Sequence, residues 1–286
     1  MEITKKSFSD GFSWVLSALK LCLPKAPAFI LKSFLASLVF ALIFFIISAI
    51  GGLLAMIPIL GYVISIAVAI VMFVLSLGFY CGFIRAIQTM IDNGNVTFGS
   101  FFFALKDKKF LIKIAPFAII IGLAMSVVSG IIGYLCYLAI FKAESQVLFY
   151  VLLLIFVLVM VLMGIYATYA LILFVQRNDP KIFATFSDTA KGLSNNILPV
   201  VGMYLGLAAV GIVLSVIGNI LVSIFQSSPS AVMAIILGVI ALVLYCGYFM
   251  HSLTSICISS KEIFVENDVE EKNVETEENT NSENQQ

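Results

Sequence analysis

The stretch "VLFYVLLLIFVLVMVLMGIYATYALILFV", residues 147–175, contains no charged side chain and decides the fold class. A helix needs about 20 apolar residues to cross the hydrocarbon of a bilayer. Inside lipid every backbone amide needs a partner within the protein, so this run is expected to be helical. Five further runs meet the same criterion; they cover roughly 28–53, 60–84, 111–139, 198–224 and 231–257. The sequence therefore predicts an all-α integral membrane protein with six transmembrane helices.

The composition of the whole chain agrees with this prediction. Hydrophobic residues make up 62% of the 286 residues, charged residues make up 11%, and the mean hydropathy is +1.13. A soluble domain averages about 45–50% apolar and about 25% charged residues. So few charges cannot cover a water-exposed surface, which argues against a soluble protein.

Charge is distributed unevenly along the chain. Residues 1–261 contain 15 Lys and Arg against 7 Asp and Glu, whereas residues 262–286 contain 9 acids against Lys272 alone. The C-terminal segment has no aromatic residue and too little apolar surface to offset the entropy of ordering. We therefore divide the chain into a membrane domain, 1–262, and a disordered acidic tail, 263–286. The tail is either a solvated end or a docking strip for a basic partner or for the chain's own basic loops.

The basic residues also predict the orientation in the membrane, because Lys and Arg are enriched in cytoplasmic loops. The segments on one side of the predicted helices contain nearly all of them: Lys5, Lys6, Lys20, Lys25, Arg85, Lys106, Lys108, Lys109, Lys113, Arg177, Lys181, Lys191 and Lys261. The opposite loops contain only Lys142. Both termini are therefore predicted to be cytoplasmic.

Three segments on the predicted cytoplasmic side align without gaps. They are "GFSWVLSALK" (11–20), "TFGSFFFALK" (97–106) and "IFATFSDTAK" (182–191). Each precedes a proline near the start of an apolar run, at Pro27, Pro116 and Pro199, and proline is tolerated in the first turn of a helix. This pattern predicts three pseudo-repeats, each a short interfacial helix followed by two spanning helices. The interfacial helices are predicted at about 8–23, 97–107 and 181–194.

Apolar residues in these segments recur at helical spacing, as at Phe98, Phe101 and Leu105, which is typical of an amphipathic helix lying at a membrane surface. Trp14 lies off this stripe, so either a second contact or anchoring among the headgroups is expected to hold it. The residues predicted to anchor the chain at the membrane interface are Phe12, Trp14, Lys20, Phe98, Phe101, Phe102, Lys106, Phe183, Phe186 and Lys191. Nucleic-acid binding would need a broad basic surface, which the pattern does not predict.

Ionisable residues at membrane depth are candidate functional residues. Lys32, Arg85 and His251 are the candidates here, and all three lie near the cytoplasmic ends of their predicted spans. No Asp or Glu is predicted at mid-depth, which argues against an ion-coupled transporter or an intramembrane hydrolase. His251 is interpreted as a packed or headgroup-contacting residue, with a catalytic or sensing role as the alternative. We expect no enzyme activity, no cofactor and no metal site.

Small residues recur at four-residue spacing, as in Gly78/Gly82, Gly122/Ser126/Gly130 and Gly202/Gly206. Such ridges let helices approach closely. They predict either close packing among the six helices or a homodimer interface.

Three quoted segments carry a resemblance to a known group of proteins: "GFSWVLSALKLCLPKAPAFILKS", "IPILG" and "RAIQTMIDNGNVTFGSFFFAL". Over residues 7–262 the chain resembles uncharacterised bacterial inner-membrane proteins of the YciC type, and it is similar to the membrane domain of some glycerophosphodiester phosphodiesterases. The resemblance implies a six-helix protein of the bacterial inner membrane and supplies no catalytic residues.

Together these features predict a non-catalytic, multi-pass inner-membrane protein that acts through contacts with lipids or proteins in envelope maintenance. The alternative is a transporter or flippase for a lipid or a small hydrophobic molecule. The expected partners are membrane lipids and either another membrane protein or a second copy of the chain; nucleic acid is not expected.

Overall fold

The computed structural model of the chain describes residues 2–57, 60–141, 145–177, 180–227 and 230–265. Within these ranges six helices are long and apolar enough to cross a membrane. The predicted all-α membrane fold is confirmed. Most of the predicted acidic tail lies outside the described residues.

The elements follow one another in an order that repeats three times. A short segment precedes two long helices each time: α1 before α2 and α3, a 3-10 turn and α4 before α5 and α6, and α7 before α8 and α9. The bounds are β1 Glu2–Ile3, α1 Phe8–Cys22, α2 Ala26–Ala55, α3 Leu60–Asn93, the 3-10 turn Phe98–Phe102, α4 Phe103–Lys106, α5 Lys108–Phe141, α6 Gln146–Gln176, α7 Ile182–Asn195, α8 Ile197–Ser227, α9 Ala231–Ile263 and β2 Phe264–Val265.

Local sequence sets several of these helix ends. Ser145 and Ser230 accept hydrogen bonds from the backbone amides of Leu148 and Met233 and so cap α6 and α9. Gly94 follows the last residue of α3 with φ of 73°, a conformation that glycine adopts without a steric penalty. These caps lie where the apolar runs meet polar loops, which is why the predicted spans fall inside the observed helices.

Two predictions about the segment before α5 are wrong. Residues 97–107 form a 3-10 turn and a single α-helical turn instead of one amphipathic helix. Asp107 leaves the helix because its carboxylate accepts hydrogen bonds from the amides of Lys109 and Phe110 and so begins α5. Pro116 therefore lies well inside α5 rather than in its first turn.

The long helices pack together mainly over one half of their length. The buried positions of α3 cluster within 81–90, those of α6 within 169–175 and those of α9 within 250–263. The most apolar windows of the six helices are at most 17% buried inside the protein. The molecule is therefore three helical hairpins that join at the predicted cytoplasmic half and separate toward the other half.

The second and third short segments each pack on the hairpin that precedes them. The 3-10 turn and α4 lie against α3, and α7 lies against α6, where the hydroxyl of Tyr166 donates to the carbonyl oxygen of Phe186 at 2.9 Å. Helix α1 packs instead on α8 and α9, the last hairpin that the structure describes. This arrangement closes the three units into a ring.

The chain ends reinforce this closure. Strand β1 pairs antiparallel with β2, which brings Glu2 opposite Val265. The amide of Lys6 donates to the side-chain oxygen of Asn196 at 2.8 Å, and the ammonium group of Lys6 pairs with Glu262 at 3.0 Å. The folded domain thus extends past the predicted boundary at residue 262, because Phe264 is buried against Gly192.

Candidate functional site

The predicted interface residues fall into two groups. Phe12, Phe98 and Phe183 are exposed, as are the three lysines Lys20, Lys106 and Lys191, so these side chains are free to meet a membrane surface. Phe102 and Phe186 are partly buried, and the ring of Phe186 stacks on Phe117 with centroids 4.8 Å apart.

The prediction that Trp14 and Phe101 are interface anchors is wrong, because neither side chain lies at a surface. Trp14 is 1% exposed and Phe101 is 0% exposed. Phe101 packs between Phe29 and Phe83, with ring centroids 5.7 and 5.1 Å away. Both side chains therefore hold short segments onto the helical core, and we remove them from the predicted interface anchors.

The three ionisable candidates have separate surroundings. The ammonium group of Lys32 donates to the carbonyl oxygen of Val96 at 2.6 Å and so ties α2 to the loop after α3. Arg85 lies over the ring of Phe103, with its guanidinium carbon 5.3 Å from the centroid. His251 is 4% exposed, and within the described residues neither of its nitrogens has a hydrogen-bond partner.

A serine- and threonine-rich stretch of α9 contributes buried hydrogen bonds that the sequence patterns did not single out. The hydroxyl groups of Ser259 and Tyr169 lie 2.5 Å apart, and Ser260 donates to Gln176 at 3.0 Å. Cys22 at the end of α1 donates to Thr254 at 3.3 Å, and burial raises the pKa of the Cys22 thiol. These bonds join α9 to α6 and α1. The stretch of sequence that could have indicated these bonds is "SLTSICISS", residues 252–260, where hydroxyl residues recur within an apolar helix.

A groove of about 660 Å³ lies between α8 and α9, on the half of the molecule where the hairpins separate. Apolar side chains and glycines form most of its wall. The lining residues are Gly211, Leu214, Ser215, Gly218, Asn219, Leu221, Val222, Phe225, Ala234, Leu237, Gly238, Ala241, Leu244, Tyr245 and Tyr248. Because the glycines lack side chains, the two helices leave room here for an elongated apolar molecule.

The polar groups of the groove lie at several heights along it. Asn219 is eight residues before the end of α8, and Tyr245 lies near the middle of α9. The hydroxyl of Tyr248 donates to the carbonyl oxygen of Leu207 at 3.2 Å. Among the described residues no hydrogen bond is made by the side-chain amide of Asn219, which can both donate and accept.

Asn219 was not selected as a site residue from the sequence. The feature of the sequence that could have indicated it is its position, since Asn219 is the only residue with an amide side chain between Ile197 and Ile224 in α8. A lone polar group on an apolar helix is costly unless it finds a hydrogen-bond partner. What the sequence could not show is that Asn219 faces a groove formed with α9.

The six long apolar helices define the class: the chain is an all-α, multi-pass membrane protein. No family model, curated protein or solved structure matches it in the comparisons with known proteins.

Proposed function

We propose that this protein is a non-catalytic component of the bacterial inner membrane that binds membrane glycerolipids in the groove between α8 and α9, the two helices of its last hairpin. The observation that supports the proposal most directly is this groove, which is open, apolar in its walls and supplied with one amide without a hydrogen bond in the described chain. We place the function in maintenance of the cell envelope through such lipid contacts.

The depth of Asn219 suits a glycerolipid. Helix α8 has 31 residues and is therefore about 46 Å long, at about 1.5 Å per residue. With a hydrocarbon core of about 30 Å centred on this helix, Asn219 lies about 12 Å from the helix end and a few ångströms inside the core. The ester carbonyls of a glycerolipid lie just outside this level, where they can accept from the amide while the acyl chain fills the groove.

Filling the groove tests the proposal. A leucine at Gly238 meets no atom within 4 Å of its Cβ and projects into the space that an acyl chain would use. Displacing two chain methylenes costs about 1.6 kcal/mol, so we expect Gly238→Leu to weaken binding of phosphatidylcholine about 15-fold in a native mass spectrometry titration.

The matched control is Gly130→Leu, because Gly130 also has open space around it but lies on α5, away from the groove. Phosphatidylcholine is used because it has no net charge, so the titration reports the groove and not the basic surface. Equal binding by both variants and the unaltered chain would contradict the proposal.

A second function, movement of lipid between leaflets, is favoured by the length of the groove. Its lining runs from Gly211 to Phe225 on α8, about 21 Å along the helix, with polar groups of Asn219, Ser215 and Tyr245 at successive heights. A headgroup could pass from one to the next.

Protein reconstituted in liposomes should then accelerate exchange of a fluorescent phospholipid between leaflets, and Gly238→Leu should slow that exchange. An exchange rate equal to that of empty liposomes would contradict this second function, and lipid binding would remain as the proposed function.

The proposed orientation has its own test. Because basic residues collect on one side of the spans, a reporter enzyme inserted after Ser145 should be active only outside the cytoplasm, whereas one inserted after Lys109 should be active only in the cytoplasm. A reversed pattern would place both termini outside the cytoplasm and contradict the orientation.

A further inference from the structure

A second concave surface lies on the half of the molecule where the hairpins join. It has a volume of about 700 Å³ and forms where the end of α3, the 3-10 turn and the beginning of α5 meet. We call it the basic pocket; its lining residues are Arg85, Thr97, Gly99, Ser100, Phe103, Lys106, Asp107, Lys108 and Lys109. It shares no residue with the groove between α8 and α9.

The charges of the basic pocket are unbalanced. Four cationic side chains and one carboxylate line it, which gives a net charge of +3. Asp107 is already engaged, because its carboxylate accepts the amides of Lys109 and Phe110 at 2.9 and 3.2 Å. Over the ranges that the structure describes, no carboxylate pairs with the four cations. The pocket therefore carries a positive charge that its own residues do not compensate.

Two of the cationic groups in the basic pocket lie against other parts of the protein. The guanidinium of Arg85 lies over the ring of Phe103, and that ring packs on Phe110 with centroids 5.0 Å apart. The ammonium nitrogen of Lys106 lies close to Gly99, where a Cβ atom would be 3.4 Å from it. An arginine with a fixed plane, a nearby ammonium and hydroxyl donors are the groups that recognise phosphate oxygens.

The hydroxyl groups of Thr97 and Ser100 complete the set of donors. Their oxygens lie 2.6 Å apart, so one donates to the other and the second hydrogen is free to point at a ligand. Gly99, which lies between them in the sequence, has no side chain that would fill the pocket. A phosphate group fits this combination of charge and donors better than a planar carboxylate of a side chain, since it offers oxygens in three directions.

We propose that the basic pocket binds the phosphate of an anionic phospholipid in the leaflet on that side of the membrane. The lipid is favoured over free phosphate by the apolar surface that continues from the pocket. Ile112 lies four residues after Lys108, on the same face of α5, and is 73% exposed. A phosphate held at Lys108 thus leaves its acyl chains beside Ile112, within the hydrocarbon.

The experiment titrates the full purified chain with phosphatidylglycerol and follows binding by native mass spectrometry. Each basic side chain near an anionic lipid is worth about 1 kcal/mol, so the double variant Arg85→Gln/Lys108→Gln should bind about 25-fold more weakly than the unaltered chain. Lys109→Gln, with its exposed side chain, should fold normally and bind about fivefold more weakly.

The matched control is Lys181→Gln, which removes an exposed lysine outside the pocket and should leave the affinity unchanged. Equal affinity for the pocket variants and this control would overturn the proposal. A second arm adds inorganic phosphate: if millimolar phosphate displaces the lipid completely, the site recognises a free anion and the lipid assignment is overturned. Each variant is titrated in the Gly238→Leu background, where the groove is filled, so the binding of phosphatidylglycerol reports the basic pocket and failure here is distinguishable from failure of the groove.

Discussion

Gly82→Ala is expected to lower the free energy of unfolding by about 3 kcal/mol, near the upper end of what overpacking costs. The reason is the close approach of two backbones. A Cβ atom at Gly82 would lie less than 3.0 Å from both the carbonyl oxygen and the carbonyl carbon of Phe101. Backbone atoms cannot rotate away as the end of a side chain can, so the 3-10 turn must move off α3. Titration of the detergent-solubilised protein with SDS measures the loss.

The control for this substitution is Gly164→Ala on α6. No atom lies within 4 Å of the position that an alanine methyl group would take at Gly164, and alanine favours a helix over glycine by about 0.5–1 kcal/mol. The control should therefore be neutral or slightly stabilising. If Gly82→Ala were equally mild, the contact between α3 and the 3-10 turn would not be as close as described.

Trp14→Ala is expected to cost about 3–5 kcal/mol, the range for removing a large buried aromatic side chain. Trp14 is almost fully buried where α1 packs on the last hairpin, so the substitution leaves a cavity at the point where the ring of units closes. Its indole nitrogen has no hydrogen-bond partner in the described part of the chain. Trp14→Phe should therefore cost much less than Trp14→Ala, since no hydrogen bond is lost.

Leu16→Ala on the same helix serves as the control, because Leu16 is 59% exposed. It should lower the free energy of unfolding by less than about 1 kcal/mol, as most exposed substitutions do. A residue that merely anchored α1 among lipid headgroups would behave like Leu16. Comparable losses for Trp14→Ala and Leu16→Ala would thus restore the prediction that Trp14 is an interface anchor.

The sequence located part of the two sites. Arg85 and Lys106 were selected separately, one for its depth in a span and one as an interface anchor, and both line the basic pocket. Thr97 and Ser100 gave no signal, because isolated hydroxyl residues in a loop are common. The sequence did not indicate the groove at all. Its walls are ordinary apolar residues and glycines, and they form a groove only because α8 and α9 diverge.

The amphipathic pattern was the least reliable guide, and the reason is physical. Apolar residues at helical spacing predict a buried stripe but do not say whether lipid or protein covers it. In α7 the exposed Phe183 and the partly buried Phe186 belong to the same pattern. In residues 98–106 Phe101 lies against Gly82 of α3, and the backbone there forms a 3-10 turn instead of a regular helix.

The sequence by itself determined the fold class and the positions of the six long helices, because hydrocarbon requires a continuous helix wherever the chain has an apolar run of sufficient length. It also indicated the order of short and long elements. Only the tertiary structure decided that α1 packs on the last hairpin, that Trp14 and Phe101 are buried, and that α8 and α9 leave a groove between them. The packing of α1 and the burial of Trp14 and Phe101 depend on close approaches between segments separated in the chain. Hydropathy specifies neither which apolar surfaces meet nor where two neighbouring helices diverge.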